Sequence, residues 1–242
     1  MPLQVHQFPC LSDNYGFLIR DAATGRTATV DTPDAARILT ELDRLGWGRL
    51  DLILNTHWHA DHAGGNAEIK AATGCEIVGP EEVRRIAPLD RVVAGGETVR
   101  LGETAFEVVA TPGHTLGHVI FHDAADDLAF VGDTIFALGC GRLFEGTPEQ
   151  MWGSLSAITQ FDPATRLYCA HEDTASNARF ALSLSDDPGL QAHAETIFAA
   201  RQRGEATVPT TVEIERRFNP FLLAGSAEEF ARRRTAKDDF KG

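Results

Sequence analysis

No stretch of this 242-residue chain is apolar for long enough to cross a membrane, and Met1-Pro2-Leu3-Gln4-Val5-His6 lacks the basic start and apolar run of a secretory leader. Basic residues are scarce. Against 35 Asp and Glu there are only 22 Lys and Arg, a formal net charge of −13, which argues against the concentrated basic surface that a phosphate backbone requires. The one basic run, Arg232-Arg233-Arg234, lies among Glu228, Glu229, Asp238 and Asp239 and reads as the solvated face of a helix. Cysteine is also rare. Cys10, Cys75, Cys140 and Cys169 show no C-x-x-C spacing and sit mostly in apolar or glycine-rich settings, so buried, reduced thiols are expected. Repeats and low-complexity segments are absent. These absences point to a cytoplasmic protein without a nucleic-acid or membrane partner; a monomer or weak homodimer is expected, although nothing in the composition selects between them. With 43% hydrophobic and 24% charged residues, the chain suits one large domain or a medium domain with a smaller companion.

What is present is concentrated in a few positions. Thr56-His57-Trp58-His59-Ala60-Asp61-His62-Ala63-Gly64-Gly65 places three imidazoles and a carboxylate within six residues. The apolar run Leu50-Asp51-Leu52-Ile53-Leu54 just before it has the pattern of a buried strand, so the cluster follows a strand's carboxyl end. His57 and His59, two apart in extended chain, point the same way. Asp61 and His62 turn toward a second point, and Gly64 and Gly65 let a helix close beneath them. One loop can thus feed two adjacent ions. Imidazole and carboxylate suit zinc, iron or manganese, and the thiolates of a closed structural zinc site are missing.

Three further segments repeat the strand-then-ligand arrangement: Thr111-Pro112-Gly113-His114-Thr115, Phe130-Val131-Gly132-Asp133-Thr134 and Leu167-Tyr168-Cys169-Ala170-His171. Strand patterns fall at 4–8, 15–19, 27–30, 50–54, 76–78, 106–110, 119–121, 128–131 and 166–169. Helical patterns fall at 34–45, 63–72 and 148–159, with Thr147-Pro148 as an N-cap followed by proline. Beyond Thr174 the text is helical, at 177–184, 190–201 and 228–237.

The H-x-H-x-D-H cluster followed by G-H-T, G-D-T and a last histidine resembles the metallo-β-lactamase superfamily. Gly139-Cys140-Gly141-Arg142-Leu143-Phe144-Glu145-Gly146, the stretch from His171 to Ala181, Asn219-Pro220-Phe221 and Lys237-Asp238-Asp239-Phe240-Lys241 are similar to glyoxalase II, the hydroxyacylglutathione hydrolases. The resemblance implies an α/β fold, a metallo-β-lactamase-like αβ/βα sandwich of two mixed sheets with outer helices, plus a small C-terminal helical domain. It divides the chain into a catalytic domain, 1–171, and a helical substrate-binding domain, 172–242. It further implies two divalent metal ions per chain, zinc foremost with iron or manganese as alternatives. His57, His59 and His114 would hold the first ion, Asp61, His62 and His171 the second, and Asp133 would bridge them. Hydroxide held on the ions, with Asp61 and Asp133 as catalytic carboxylates, would attack an S-(2-hydroxyacyl)glutathione thioester of the S-D-lactoylglutathione type. Asp31 resembles the family's first acidic element and reads as support for the ligands, and His118 as a histidine packed beside them.

The thiol-binding positions depart from the family. Arg142 and Asn177 match, but Phe144 stands where relatives place a tyrosine, Asp173 replaces another, and the text after Asn219-Pro220-Phe221 holds Leu223 and Ser226 in place of basic residues. Arg142, Phe144, Asp173 and Asn177 remain the expected substrate contacts, with a weakened grip on an anionic thiol. Two alternatives retain the same ligands: a hydrolase of another ester, lactone or lactam, and a mono-iron enzyme resembling the persulfide dioxygenases.

Overall fold

The computed structural model describes residues 3–242, which form two compact units: one runs to Ala110 and includes Gly117–Asp126, the other comprises Thr111–Leu116 and Asp127–Gly242. In the first, β1 (Gln4–Cys10), β2 (Asn14–Arg20) and β3 (Thr27–Val30) pair antiparallel. Then β4 (Leu52–Leu54), β5 (Glu76–Gly79) and β6 (Arg91–Val92) add in parallel, so this sheet runs in sequence order and is mixed. The crossover between β3 and β4 is α1 (Ala35–Leu45), fixed at its start by Asp34, whose side chain accepts from the Arg37 N–H, and ended by left-handed Gly46. β2, β3 and β4 are buried along almost their whole length. Strands covered on both faces carry continuous rather than alternating apolar residues, as Leu52-Ile53-Leu54 does. β7 (Thr98–Leu101), β8 (Thr104–Ala110) and β9 (Val119–Asp123) form an antiparallel meander.

Between β4 and β5 the expected helix at 63–72 is two helices, α2 (Ala60–Ala63) and α3 (Asn66–Thr73), interrupted at Gly64 and Gly65. Gly64 lies against the Ala60 carbonyl, where a Cβ would come within 2.3 Å of the oxygen.

In the second unit β10 (Leu128–Gly132) pairs parallel with β13 (Arg166–Cys169), and β13 antiparallel with β14 (Thr210–Thr211), again a mixed arrangement. Between β10 and β13 lie the hairpin of β11 (Ile135–Phe136) and β12 (Gly139–Cys140) and helix α4 (Pro148–Ile158). α4 begins with a capping box: Thr147 accepts from the Gln150 N–H and the Gln150 side chain returns the bond. The chain then continues through α5 (Thr174–Leu184), α6 (Pro188–Gln202), α7 (Val212–Phe218) and α8 (Ala227–Asp239). Leu138, Ala178, Ala181, Leu190, Ala194 and Ile197 form a small core there, with α8 inserting fully buried Phe230 beside Phe221 and Trp152.

Every expected strand is present. The short β6, β11, β12 and β14 were not legible, because two residues carry no periodicity, and β7 and α7 also went unseen. The basic run at 232–234 is only partly a solvated face. Arg232 pairs with Glu228 and Glu229, but Arg234 is buried and donates to the Cys140 carbonyl and to Asp238.

Glu215 on α7 is fully buried and accepts from the Thr210 hydroxyl (2.6 Å), the Leu138 N–H (2.9 Å) and the Asn219 amide (2.8 Å). Burial pushes its carboxyl up from 4.5 to about 7, against those three bonds. Below the ordinary glutamate range the group is protonated in both folded and unfolded chain, and its contribution to stability is fully present. As pH rises through about 7 the folded chain must ionise a buried acid, and the contribution is lost. Denaturant titrations at pH 5 and pH 8 should therefore differ by on the order of 2 kcal/mol more in the native chain than in Glu215→Gln.

Candidate metal centre

Parallel strands of the first unit end in its donor set. β3 is followed at once by Asp31 and β4 by Asn55, with the Asp31 N–H bonded to the Leu54 carbonyl. Asp31 is in the left-handed region (φ 58°), a costly conformation for a residue with a Cβ, and its carboxylate collects three donors. Oδ1 accepts from the Thr56 N–H (2.8 Å), and Oδ2 from the Thr56 hydroxyl (2.8 Å) and from His62 Nδ1 (2.9 Å). With its proton given to Asp31, the Thr56 hydroxyl can only accept from His57 Nδ1, 3.0 Å away. Both imidazoles are thereby set in the Nδ1–H tautomer, and each presents the lone pair of Nε2.

One of these lone pairs faces another imidazole nitrogen and the other a carboxylate oxygen. His57 Nε2 is 3.0 Å from His59 Nδ1, and His62 Nε2 is 3.4 Å from Asp61 Oδ2, which also accepts from Asn14 Nδ2. With Nδ1 of His62 donating to Asp31, its Nε2 and the Asp61 carboxylate are acceptor facing acceptor, which repel unless a shared proton or a cation lies between them. His57 and His62 are buried, while Asp61 is partly exposed. His118 packs its ring on His57 at 4.8 Å, beside the ligands as expected.

The second unit repeats the device. Parallel neighbours β10 and β13 lead into Asp133 and into Ala170-His171, so the two expected ligands leave adjacent strands at the same end. The Asp133 carboxylate divides its oxygens: Oδ2 lies 3.2 Å from His114 Nε2, and Oδ1 lies 3.3 Å from His171 Nε2. His114 Nδ1 donates to the Arg142 carbonyl (2.8 Å), which fixes the Nε2 lone pair toward Asp133. Gly141 allows this fit, since a Cβ there would come within 1.9 Å of the Asp133 carbonyl oxygen and 3.1 Å of His114 Nδ1.

Thiols stand apart from this chemistry. All four cysteines are free and buried; burial pushes Cys140 up to about 11 and Cys10 and Cys169 up to about 12. In each unit the clustered donors are imidazole and carboxylate, the kind that suits borderline divalent cations.

Of the expected substrate contacts, Arg142 and Phe144 are exposed, and the Phe144 ring meets His114 edge-on at 5.2 Å. Asp173 is exposed just before α5. Asn177 is buried, and its amide donates to the Ala137 carbonyl (3.1 Å). Leu223 and Ser226 do other things: Leu223 is half-exposed and Ser226 caps α8 through the Glu229 N–H. Positive charge enters instead from the far end of α8, in the Lys237-Asp238 motif and the arginine before it. Lys237 Nζ donates to Ser176 (2.7 Å), and Asp238 beside it accepts from Arg234 and lies 3.7 Å from the Arg142 guanidinium. Burial and the cations of Arg234, Arg179 and Arg142 lower the Lys237 ammonium's pKa, opposed by Asp173. The i,i+3 spacing of Arg234 and Lys237 on one helix was the available signal.

Comparison with known proteins agrees. The metallo-beta-lactamase superfamily model matches residues 17–171, and the model of the hydroxyacylglutathione hydrolase C-terminus matches residues 172–240. A hydroxyacylglutathione hydrolase of Erythrobacter litoralis is 49% identical, over 98% of this chain and all of its own length. One of Maricaulis maris is 55% identical, over 91% of this chain and 86% of its own. Among solved structures, ETHE1 from Myxococcus xanthus aligns with a TM-score of 0.73 at 26% identity, covering 96% of this chain and 90% of that one. With the two mixed sheets and terminal helices, this is the metallo-β-lactamase fold.

Asp31→Asn conserves size but aims an amide at hydrogen-bond donors. Metal retention in competition with a chelator should weaken about 10- to 100-fold while circular dichroism is preserved.

Proposed function

The chain belongs to the hydroxyacylglutathione hydrolases, the glyoxalase II family of the metallo-β-lactamase superfamily, and on that premise we propose that it hydrolyses S-(2-hydroxyacyl)glutathione to a 2-hydroxy acid and free glutathione. The junction of the two family models supports a catalytic domain over 1–171 and a substrate-binding domain over 172–242. The observation that carries the reading is Asp133, whose two oxygens face two different imidazoles, the disposition of a carboxylate shared by two cations. His57, His59 and His114 would hold one divalent ion, Asp61, His62 and His171 the other, with Asp133 between. We take zinc as the metal, and the cytoplasm, where buried thiols stay reduced, as the compartment. Such a pair, when bound, supplies a water made acidic near neutral pH and a Lewis acid for the thioester carbonyl.

The chain's own residues do the rest. Asp31, Thr56 and the Arg142 carbonyl keep three imidazoles in the tautomer that ligates. Phe144, exposed against His114, offers an apolar edge for the acyl or thiol portion, and the thiolate leaving group needs no strong general acid. Arg142 and Lys237 would receive the anionic end of glutathione, with Asp173 facing its ammonium group.

Elemental analysis should find two ions per chain, and Asp133→Ala should deplete both and lower kcat at least about a hundredfold. Thiol should appear in step with acid, without oxygen uptake; oxygen consumed in proportion to turnover would sink the assignment. Lys237→Ala should raise KM for S-lactoylglutathione by about tenfold or more with kcat within about twofold, as expected for loss of a charge-assisted bond.

A further inference from the structure

The segment from Phe136 to Arg142 turns through the β11–β12 hairpin, and four of its seven carbonyls accept from side chains that come after His171. Asn219 Nδ2 donates to Gly139 O (2.9 Å) and Phe136 O (3.4 Å), Asn177 Nδ2 to Ala137 O (3.1 Å), and an Arg234 guanidinium nitrogen to Cys140 O (2.7 Å). Glu215 holds the remaining turn by accepting from the Leu138 N–H, at a residue in the left-handed region (φ 56°) with no exposed surface.

Asn219 is the centre of this set. It is wholly buried at the end of α7, one helical turn after Glu215, and both ends of its amide are engaged. Its amide serves the two carbonyls and Glu215, and its oxygen accepts from the Phe221 N–H (2.9 Å). A Cβ at Gly139 would fall 2.4 Å from Asn177 Nδ2, so the approach of the α5 amide to the segment depends on glycine there. Two residues beyond the last pinned carbonyl, Arg142 presents the oxygen that accepts from His114 Nδ1 (2.8 Å).

We propose that Asn219 and Asn177 are positioning residues for His114: by pinning the carbonyls of residues 136–139 they place the Arg142 carbonyl that selects the His114 tautomer and aims its Nε2. The inference rests on the reading of His114 as a metal ligand. The helices after His171 thereby act on the metal centre as well as on the thiol, and a defect in them reaches the metal through the backbone of one loop.

The test uses the zinc-loaded, full-length protein. Asn219→Asp keeps the shape and the oxygen that accepts from Phe221 but removes the donor; Asn177→Ala removes a different pin on a different helix. In chelator competition one of the two ions should be held about tenfold or more weakly in each variant, with kcat reduced, KM for S-lactoylglutathione within twofold and circular dichroism unchanged. Unchanged retention of both ions would overturn the proposal, most clearly if KM rose, since the segment would then serve only the thiol. If Asn219→Asp loses its helical signal, Asn177→Ala decides by the same two outcomes. Loss of fold in both makes the pins ordinary scaffold and also overturns it. A wild-type protein holding no zinc would instead overturn the metal assignment itself, and the inference with it.

Discussion

The Asp31 carboxylate is the interaction on which the first donor set depends. A bare imidazole has two tautomers of similar energy, and a histidine with its proton on the wrong nitrogen is no ligand at all. Asp31 accepts from His62 directly and from His57 by way of the Thr56 hydroxyl, so a single negative charge settles both choices. The left-handed backbone at Asp31 belongs to the same arrangement. Its cost of roughly 1–3 kcal/mol is offset by three buried hydrogen bonds that an extended residue at this strand end would not collect. The parallel strands β3 and β4 make this possible, because equal register delivers Val30 and Leu54 side by side and lets the next residues on each strand meet.

The ligand types and their strand-end positions could be read directly from the chain. H-x-H-x-D-H follows a run of buried apolar residues, and Asp133 and His171 each follow a strand pattern whose parallel pairing could be expected from the helix between them. The partner of each ligand could not be read so easily. Nothing in the text around Arg142 says that its carbonyl rather than its guanidinium meets His114, since every residue has a carbonyl and only folding selects one. Asn177 illustrates the converse: a motif match suggested a substrate contact, and nothing in the local sequence says that its buried amide donates to the Ala137 carbonyl. The positive charge of α8 was hidden for a simpler reason. Arg234 and Lys237 lie in a run rich in Glu and Asp, where local sequence suggests a solvated face, and only packing against Phe221 and Phe180 separates the inward cations from the outward ones.

Cys140 shows how little sequence proximity means without geometry. It lies between two glycines whose absent side chains are needed for close approach, one beside Asn177 and one beside His114, and the thiol itself is buried under Arg234 with its ionisation suppressed. The Gly139-Cys140-Gly141 triplet is therefore about backbone placement, and the cysteine fills the space behind it as a small apolar residue would.

The cations at Arg142 and Lys237 sit on a chain whose formal net charge is −13. An anionic thioester approaching from beyond the screening length, about 8 Å at physiological ionic strength, meets the repulsive field of the whole molecule first. It comes under the local cations only at close range. Added salt weakens the long-range repulsion more than the short contacts. Association of substrate with this enzyme should then be faster at moderate ionic strength, the opposite of electrostatic steering, and the same field should assist departure of the anionic products.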